Sequence, residues 1–206
     1  MPQRPVVGVL LAAGSGSRFG GDKLLAKLAD GRPLASAALA ALAAAVDAVI
    51  AVVRPGDAAL QALFSESGAL VVACPDAAEG IGASLGCGVR EVQQRFPDAR
   101  GAIIDLADMP WISPSTVARI AAALRRGAVL AAPMHRGTRG HPVAIGAGYF
   151  AELRRLSGDE GAKKLLAAHR AEIELIAVDD PGVLRDVDTR ADLRSSPRRR
   201  PGPRQR

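Results

Sequence analysis

Aromatic residues make up only 3% of this chain, with one Trp, one Tyr and four Phe. That scarcity argues against an aromatic-rich β-sandwich and for an interior of Ala, Val and Leu, with helices packed closely on a sheet. Cysteine is almost as rare. Cys74 and Cys87 form no CxxC pattern, so they offer neither a zinc motif nor a disulfide framework. They are expected to be small buried residues in a reducing compartment. No apolar run is long enough to cross a bilayer. The opening run Val6 to Ala13, with Arg4 before it, imitates a signal-peptide core. It is short, however, and runs directly into a loop bearing Arg18, Asp22 and Lys23, so it is read as a strand. These absences predict a cytoplasmic protein with no membrane contact.

The 206 residues include 49% hydrophobic side chains, enough for one domain with a sizeable core. The net charge of +6 suggests a nucleic-acid partner, but the charge is badly distributed for one. Residues Ser195 to Arg206 hold Arg198, Arg199, Arg200, Arg204, Arg206 and no acid; without them the chain is nearly neutral. A Pro/Arg segment cannot bury apolar surface, so residues 195–206 are expected to form a disordered, dispensable tail behind a single domain over 1–194. No nucleic-acid partner is expected.

Strand-like runs alternate with helical ones. Val6–Leu11 is continuously apolar, as in a strand buried on both faces. Further strands are predicted at 49–53, 70–73, 102–106, 129–132, 142–145 and 173–178. Helices are predicted at 33–45, 58–64, 82–95 and 115–126, the last opened by Ser113 as N-cap and Pro114 at the first helical position. Shorter helical stretches are read at 146–156, 161–169 and 190–193. The pattern predicts an α/β fold of Rossmann-like type, a mostly parallel sheet with helices on both faces. Ligands in such sheets bind beyond the carboxyl ends of the strands, which places the loops after Leu11, Ala73, Leu106 and Val178 around one site.

The loop from Leu11 to Lys23, LAAGSGSRFGGDK, is rich in glycine and carries Arg18 and Lys23. Glycines let the backbone approach a ligand and turn N–H groups inward, which suits a polyphosphate. A dinucleotide fingerprint fits poorly. Phe19 stands where it needs a small residue, and Arg54 stands where it wants an acid after the second strand. A Walker loop fails at Gly21-Asp22-Lys23-Leu24.

This loop resembles the LAAGxGxRxGxxK loop of nucleotidyltransferases. Further segments match in order: Gly80-Ile81-Gly82-Ala83-Ser84-Leu85, Asp108-Met109-Pro110, Gly140-His141-Pro142-Val143, Gly158-Asp159-Glu160-Gly161-Ala162 and Asp186-Val187-Asp188-Thr189-Arg190-Ala191-Asp192-Leu193. Together they cover nearly everything but the tail. Within these enzymes the chain most resembles the molybdenum-cofactor cytidylyltransferases. It departs from them at Lys163, where arginine is frequent and the cofactor end is contacted. It also departs at Arg190-Ala191, in place of Pro-Glu in the DIDTPEDL pattern, a change expected to matter little. The resemblance implies that CMP passes from CTP to a molybdopterin-type acceptor, with release of pyrophosphate. It further implies partnership with a molybdoenzyme or its chaperone, and a monomer is expected. Rivals are guanylyl or sugar-phosphate transfer on the same loop, a dinucleotide-binding oxidoreductase, and a non-catalytic cofactor-binding module.

Nucleotidyl transfer needs cations to neutralise the triphosphate and a metal bridging its oxygens. Arg18, Lys23 and Asp108 are the catalytic candidates. Asp108, at an exposed strand end, is the natural Mg²⁺ ligand, since that ion takes one or two carboxylates with phosphates and water. The second carboxylate is Asp186 or Asp188. Alternation along an extended chain puts both on one side, with Asp186 preferred. Leu11, Ala12, Ala13, Gly14 and Gly16 are expected to line the nucleotide site. The resemblance adds Ser84 as a contact to the base, with Ala12, Ala13 and Gly80 as its wall. Related guanylyltransferases tend to carry glycine where Ala13 stands, so its methyl group is expected to favour a pyrimidine. His141, with Gly161 and Ala162, is assigned to the acceptor, though not as a general base. Trp111 is expected to close the core beneath the metal turn, and Asp105 to partner a basic neighbour.

Overall fold

The computed structural model describes residues 4–14, 16 and 19–194. The expected 195–206 tail and the catalytic candidate Arg18 lie outside the described residues. The sheet has eight strands: β1 (Val6–Leu11), β2 (Ala48–Val53), β3 (Leu70–Ala73), β4 (Gly101–Leu106), β5 (Leu130–His135), β6 (Thr138–Arg139), β7 (Val143–Gly146) and β8 (Ile173–Ala177). Their order is β3-β2-β1-β4-β7-β5-β6, with β8 on β5. All pair in parallel except β6 and β7, which run against their neighbours. The α/β, mostly parallel fold expected from the sequence is the one observed.

Six α-helices cover the sheet: α1 (Leu34–Ala43), α2 (Ala58–Glu66), α3 (Ile81–Arg95), α4 (Pro114–Arg126), α5 (Phe150–Leu153) and α6 (Lys163–Ala168). The period-2 pleat divides the apolar strands between two cores. Val6, Leu10, Ala51, Val53 and Ile103 pack with α1, α2 and α4. Val7, Val9, Ile50, Val52 and Ile104 pack with α3, α5 and α6. Burial on both faces is why these strands read as unbroken apolar runs. Helix α3 lies unusually close to the sheet: a Cβ on Gly88 would come within 2.6 Å of Val9 and 3.0 Å of Val52.

The C-terminal elements are shorter than their sequence pattern suggests. The stretch 146–156 resolves into a 3-10 turn, Ala147–Tyr149, and the four-residue α5; a 3-10 turn at Asp192–Arg194 replaces the last short helix. Strand β6 is too short, at two residues, to show any alternation. Ser113 does occupy the N-cap of α4, but its hydroxyl makes no cap bond and meets Ser115 instead, at 2.8 Å. The helix end is served from a distant segment. Buried Asp180 accepts from Ser113 N at 2.9 Å, Thr116 Oγ1 at 2.7 Å and Gly182 N at 3.1 Å. This ties residues 180–188 to the turn that follows β4. Gly182 is required there, since a Cβ would fall 2.1 Å from the Trp111 carbonyl.

Candidate active site

The reversal of connection at β1, with β2 on one side and β4 on the other, opens a crevice at the strand ends. A cleft of about 550 Å³ occupies it, within the range that suits a nucleotide. Leu11, Ala12, Ala13, Gly14, Gly16 and Lys23 line it from the glycine loop, Gly80 and Ser84 from the start of α3, and Asp108 from beyond β4. The expected nucleotide-site residues within the described part of the chain therefore share one cavity. Arg54 and Asp57, after β2, and Asp159 also line it, although the sequence motifs did not assign them to the nucleotide site. Arg54 was weighed only as a mismatch to another motif.

One wall depends on Gly80. Its φ of 121° lies in the region that favours glycine, and a Cβ would sit 2.5 Å from the Gly158 carbonyl. The GDxGA loop thus packs against the start of α3, where a Cβ on Gly161 would also meet Ile81 at 2.9 Å. Ser84 is buried, and its hydroxyl lies 3.5 Å from the Gly80 carbonyl, a weak bond that leaves it available to a ligand.

At the other end of the cleft, Lys23 Nζ donates to Asp108 Oδ2 at 2.7 Å and lies 3.8 Å from Asp188 Oδ1. Both side chains of the shorter contact are largely shielded, 12% and 25% exposed, so the pair is screened less than a surface bridge. Two carboxylates that both approach this ammonium are a donor pair of the kind a divalent ion takes. Among the described residues, no group of three or more His, Cys, Asp or Glu forms a metal cage. The two acids fit an ion that takes its remaining ligands from phosphate and water.

Asp186 and Asp188 do not share a side as alternation predicted. Residues 185–188 belong to no strand, and the chain turns at once, with Asp192 Oδ2 accepting from Asp188 N, Thr189 N and Thr189 Oγ1. Val187 N donates to the Asp108 carbonyl at 2.9 Å, which seats the turn beside β4. Asp188 therefore reaches Lys23, whereas exposed Asp186 acts on His141.

His141 N donates to the Val183 carbonyl at 2.9 Å, and its shielded Nδ1 has no partner among the described residues. Burial lowers its pKa to about 4; Arg139 and Lys163 push the same way, and Asp186 opposes them. The ring is neutral at physiological pH, flanked by two exposed cations. Trp111 packs partly buried against the core, with the Arg185 guanidinium 4.8 Å from its ring centre. Asp105 corrects an expectation. It is fully buried in β4, and no cation pairs with it among the described residues. Leu106 N donates to Oδ1 at 2.9 Å while Oδ2 has no partner. Burial raises its pKa to about 7.

The model of the MobA-like NTP transferase domain matches residues 8–173, which span both the glycine loop and Asp108. The chain belongs to this family. Purine catabolism protein PucB of Bacillus subtilis (strain 168) is 31% identical over 194 residues, covering 89% of this chain and 92% of that protein. Nicotine blue oxidoreductase of Paenarthrobacter nicotinovorans is 30% identical over 192 residues, with the same shares, 89% and 92%. Among solved structures, Rv0371c from Mycobacterium tuberculosis H37Rv superposes on this MobA-like chain with a TM-score of 0.81 at 32% identity, covering 93% of this chain and 96% of that one. A second structure of Rv0371c is a complex with manganese, with a TM-score of 0.75 at 29% identity, covering 91% and 95% of the two chains. The family expected from the sequence motifs is the one found, and it is a family of nucleotidyltransferases.

Proposed function

We propose that this chain transfers CMP from CTP to a phosphate-bearing acceptor of the molybdopterin type, releasing pyrophosphate, with Mg²⁺ held by Asp108 and Asp188. The observation that carries the reading is the meeting of Asp108, Asp188 and Lys23 at one end of a cleft walled by Ala12, Ala13, Gly80 and Ser84 at the other. A divalent ion held there by Asp108 and Asp188 would neutralise triphosphate charge and offset charge on the departing pyrophosphate. The manganese complex of Rv0371c supports a divalent ion in the family.

The residues of the chain divide the remaining work. Lys23 and, from the sequence, Arg18 neutralise the phosphates. The glycine loop lets backbone N–H groups approach them. Ala13, 6% exposed, narrows the slot over the base, and Ser84 offers one hydroxyl to its polar edge. Arg139 and Lys163 attract an anionic acceptor past Gly161 and Ala162. A phosphate nucleophile is already anionic, so neutral His141 orients rather than deprotonates it.

The name of the P. nicotinovorans relative brings the dinucleotide-binding oxidoreductase back as a second reading. That chemistry seats a pyrophosphate on the helix that directly follows the glycine loop. Here α1 begins only at Leu34, and the intervening described residues form no α-helix, only 3-10 turns such as Lys23–Leu25. The geometry supports nucleotidyl transfer over dinucleotide binding.

The test is incubation with each NTP, Mg²⁺ and molybdopterin cofactor, scoring pyrophosphate and product mass. CTP should exceed GTP and ATP in kcat/KM by at least about tenfold, or about 1.4 kcal/mol, and Ala13→Gly should narrow that gap by admitting GTP. Equal use of CTP and GTP sinks the cytidylyl assignment and leaves nucleotidyl transfer. Hydride transfer to or from NADPH, with no pyrophosphate from any NTP, favours the rival.

A further inference from the structure

Arg190, where the resemblance expects proline, lies in the turn closed by Asp192, two residues beyond Asp188. Its guanidinium carbon is 5.0 Å from the ring centre of Phe19, a 4%-exposed member of the glycine loop. The turn is tied down at both ends. Val187 N holds it to the Asp108 carbonyl, and Asp188 N, Thr189 N and Thr189 Oγ1 hold it to Asp192. Arg190 is thus presented to the glycine loop by the same backbone that carries Asp188 to Lys23. Stacking on an aromatic ring uses the faces of a guanidinium and leaves its in-plane N–H donors free. Those donors match phosphate oxygens in a fork. No carboxylate lies within 4.0 Å of Arg190 among the described residues, so no ion pair already engages them.

We propose that Arg190 is a further phosphate-binding cation of this site, parked on Phe19 and receiving the pyrophosphoryl part of the nucleotide. The proposal rests on the nucleotidyltransferase reading for its place in catalysis. Its ligand, two linked phosphoryl groups, is the same whether they arrive on CTP or leave as inorganic pyrophosphate. With the acids loaded by a divalent ion, Arg190 would add a positive charge beside the glycine loop.

Calorimetric titration of the full chain in Mn²⁺ with inorganic pyrophosphate, CTP and CMP tests it. Arg190→Gln should weaken pyrophosphate and CTP binding by about tenfold, the scale of one charge-assisted contact, and leave CMP within about twofold. Arg190→Lys, which restores charge without the planar fork, should recover part of the loss. Unchanged pyrophosphate binding in Arg190→Gln overturns the proposal. So does an equal loss for CMP, which would make Arg190 a packing residue of the loop, and so does a lysine variant no better than glutamine. The pyrophosphate arm needs no nucleoside. It judges Arg190 even if the unmodified chain fails to bind CTP, a result that would reject the cytidylyl reading instead.

Discussion

Two regions of the molecule, the acidic end of the cleft and the surroundings of His141 outside the cleft lining, are built with opposite charge. At one, Asp108 and Asp188 both approach the Lys23 ammonium. At the other, Arg139 and Lys163 flank an uncharged histidine, with Asp186 opposing them. Two acids beside an ammonium fit a divalent ion, whereas cations around a neutral ring fit an anion. The difference teaches that near neighbours in sequence can face different surroundings. Asp186 and Asp188 are separated only by Val187, yet one acts on His141 and the other reaches Lys23.

The largest expected effect tests whether the acidic end is catalytic. Asp108→Asn keeps shape and removes charge, and kcat should fall by at least about two orders of magnitude. CTP binding without metal, measured by calorimetry, should survive. Near-normal turnover would erase the contrast between the two regions.

A pairwise experiment sharpens it. Asp188→Asn should raise the Mn²⁺ dissociation constant by about tenfold in an EPR titration, equivalent to about 1.4 kcal/mol. Asp186→Asn should leave Mn²⁺ affinity within about twofold and instead change the acceptor KM. The reverse pattern would assign the second acid to Asp186 and break the comparison.

The smallest effect is on stability and concerns Asp105, the buried acid of β4 that takes part in neither region. Its folded pKa, about 7, lies above the ordinary aspartate value of 3.8. The folded state therefore binds the proton more tightly than the unfolded chain does. Its contribution is fully present below about pH 4 and is lost as pH rises towards 7. Asp105→Asn removes the ionisation. It should flatten that part of the pH–stability profile and raise Tm at pH 8 by about 5 °C, the shift expected from one to two kcal/mol in a domain of this size. An unchanged Tm at pH 8 would show that the buried carboxyl finds a proton or partner at no cost.

What the sequence disclosed follows from how local each signal is. Val6–Leu11 could be read as a doubly buried strand because every residue in it is apolar. The glycine loop and Asp108 could be read because each motif is contiguous. Asp188 could not be separated from Asp186, because the argument assumed an extended chain where Asp192 folds a turn. Asp180 gave no sign of capping α4, since its partners Ser113 and Thr116 are distant in sequence. The basic neighbour expected for Asp105 is missing because a buried carboxyl can hold a proton instead. Arg190 was discounted as a drift from a family pattern, and only its position over Phe19 gives it a role.

The clasp that Asp180 forms on α4 has a consequence for the order in which the protein becomes competent. During synthesis the glycine loop and Asp108 emerge early, and the sheet from β1 to β4 has its partners before the C-terminal segment exists. The second acid arrives only when Asp180 has found Ser113 and Thr116. Until then a nascent or clipped molecule would own the cleft with half of its proposed cation site. Such a molecule would be held silent by its own incompleteness, so proteolytic damage between 180 and 188 should extinguish turnover well before it melts the sheet.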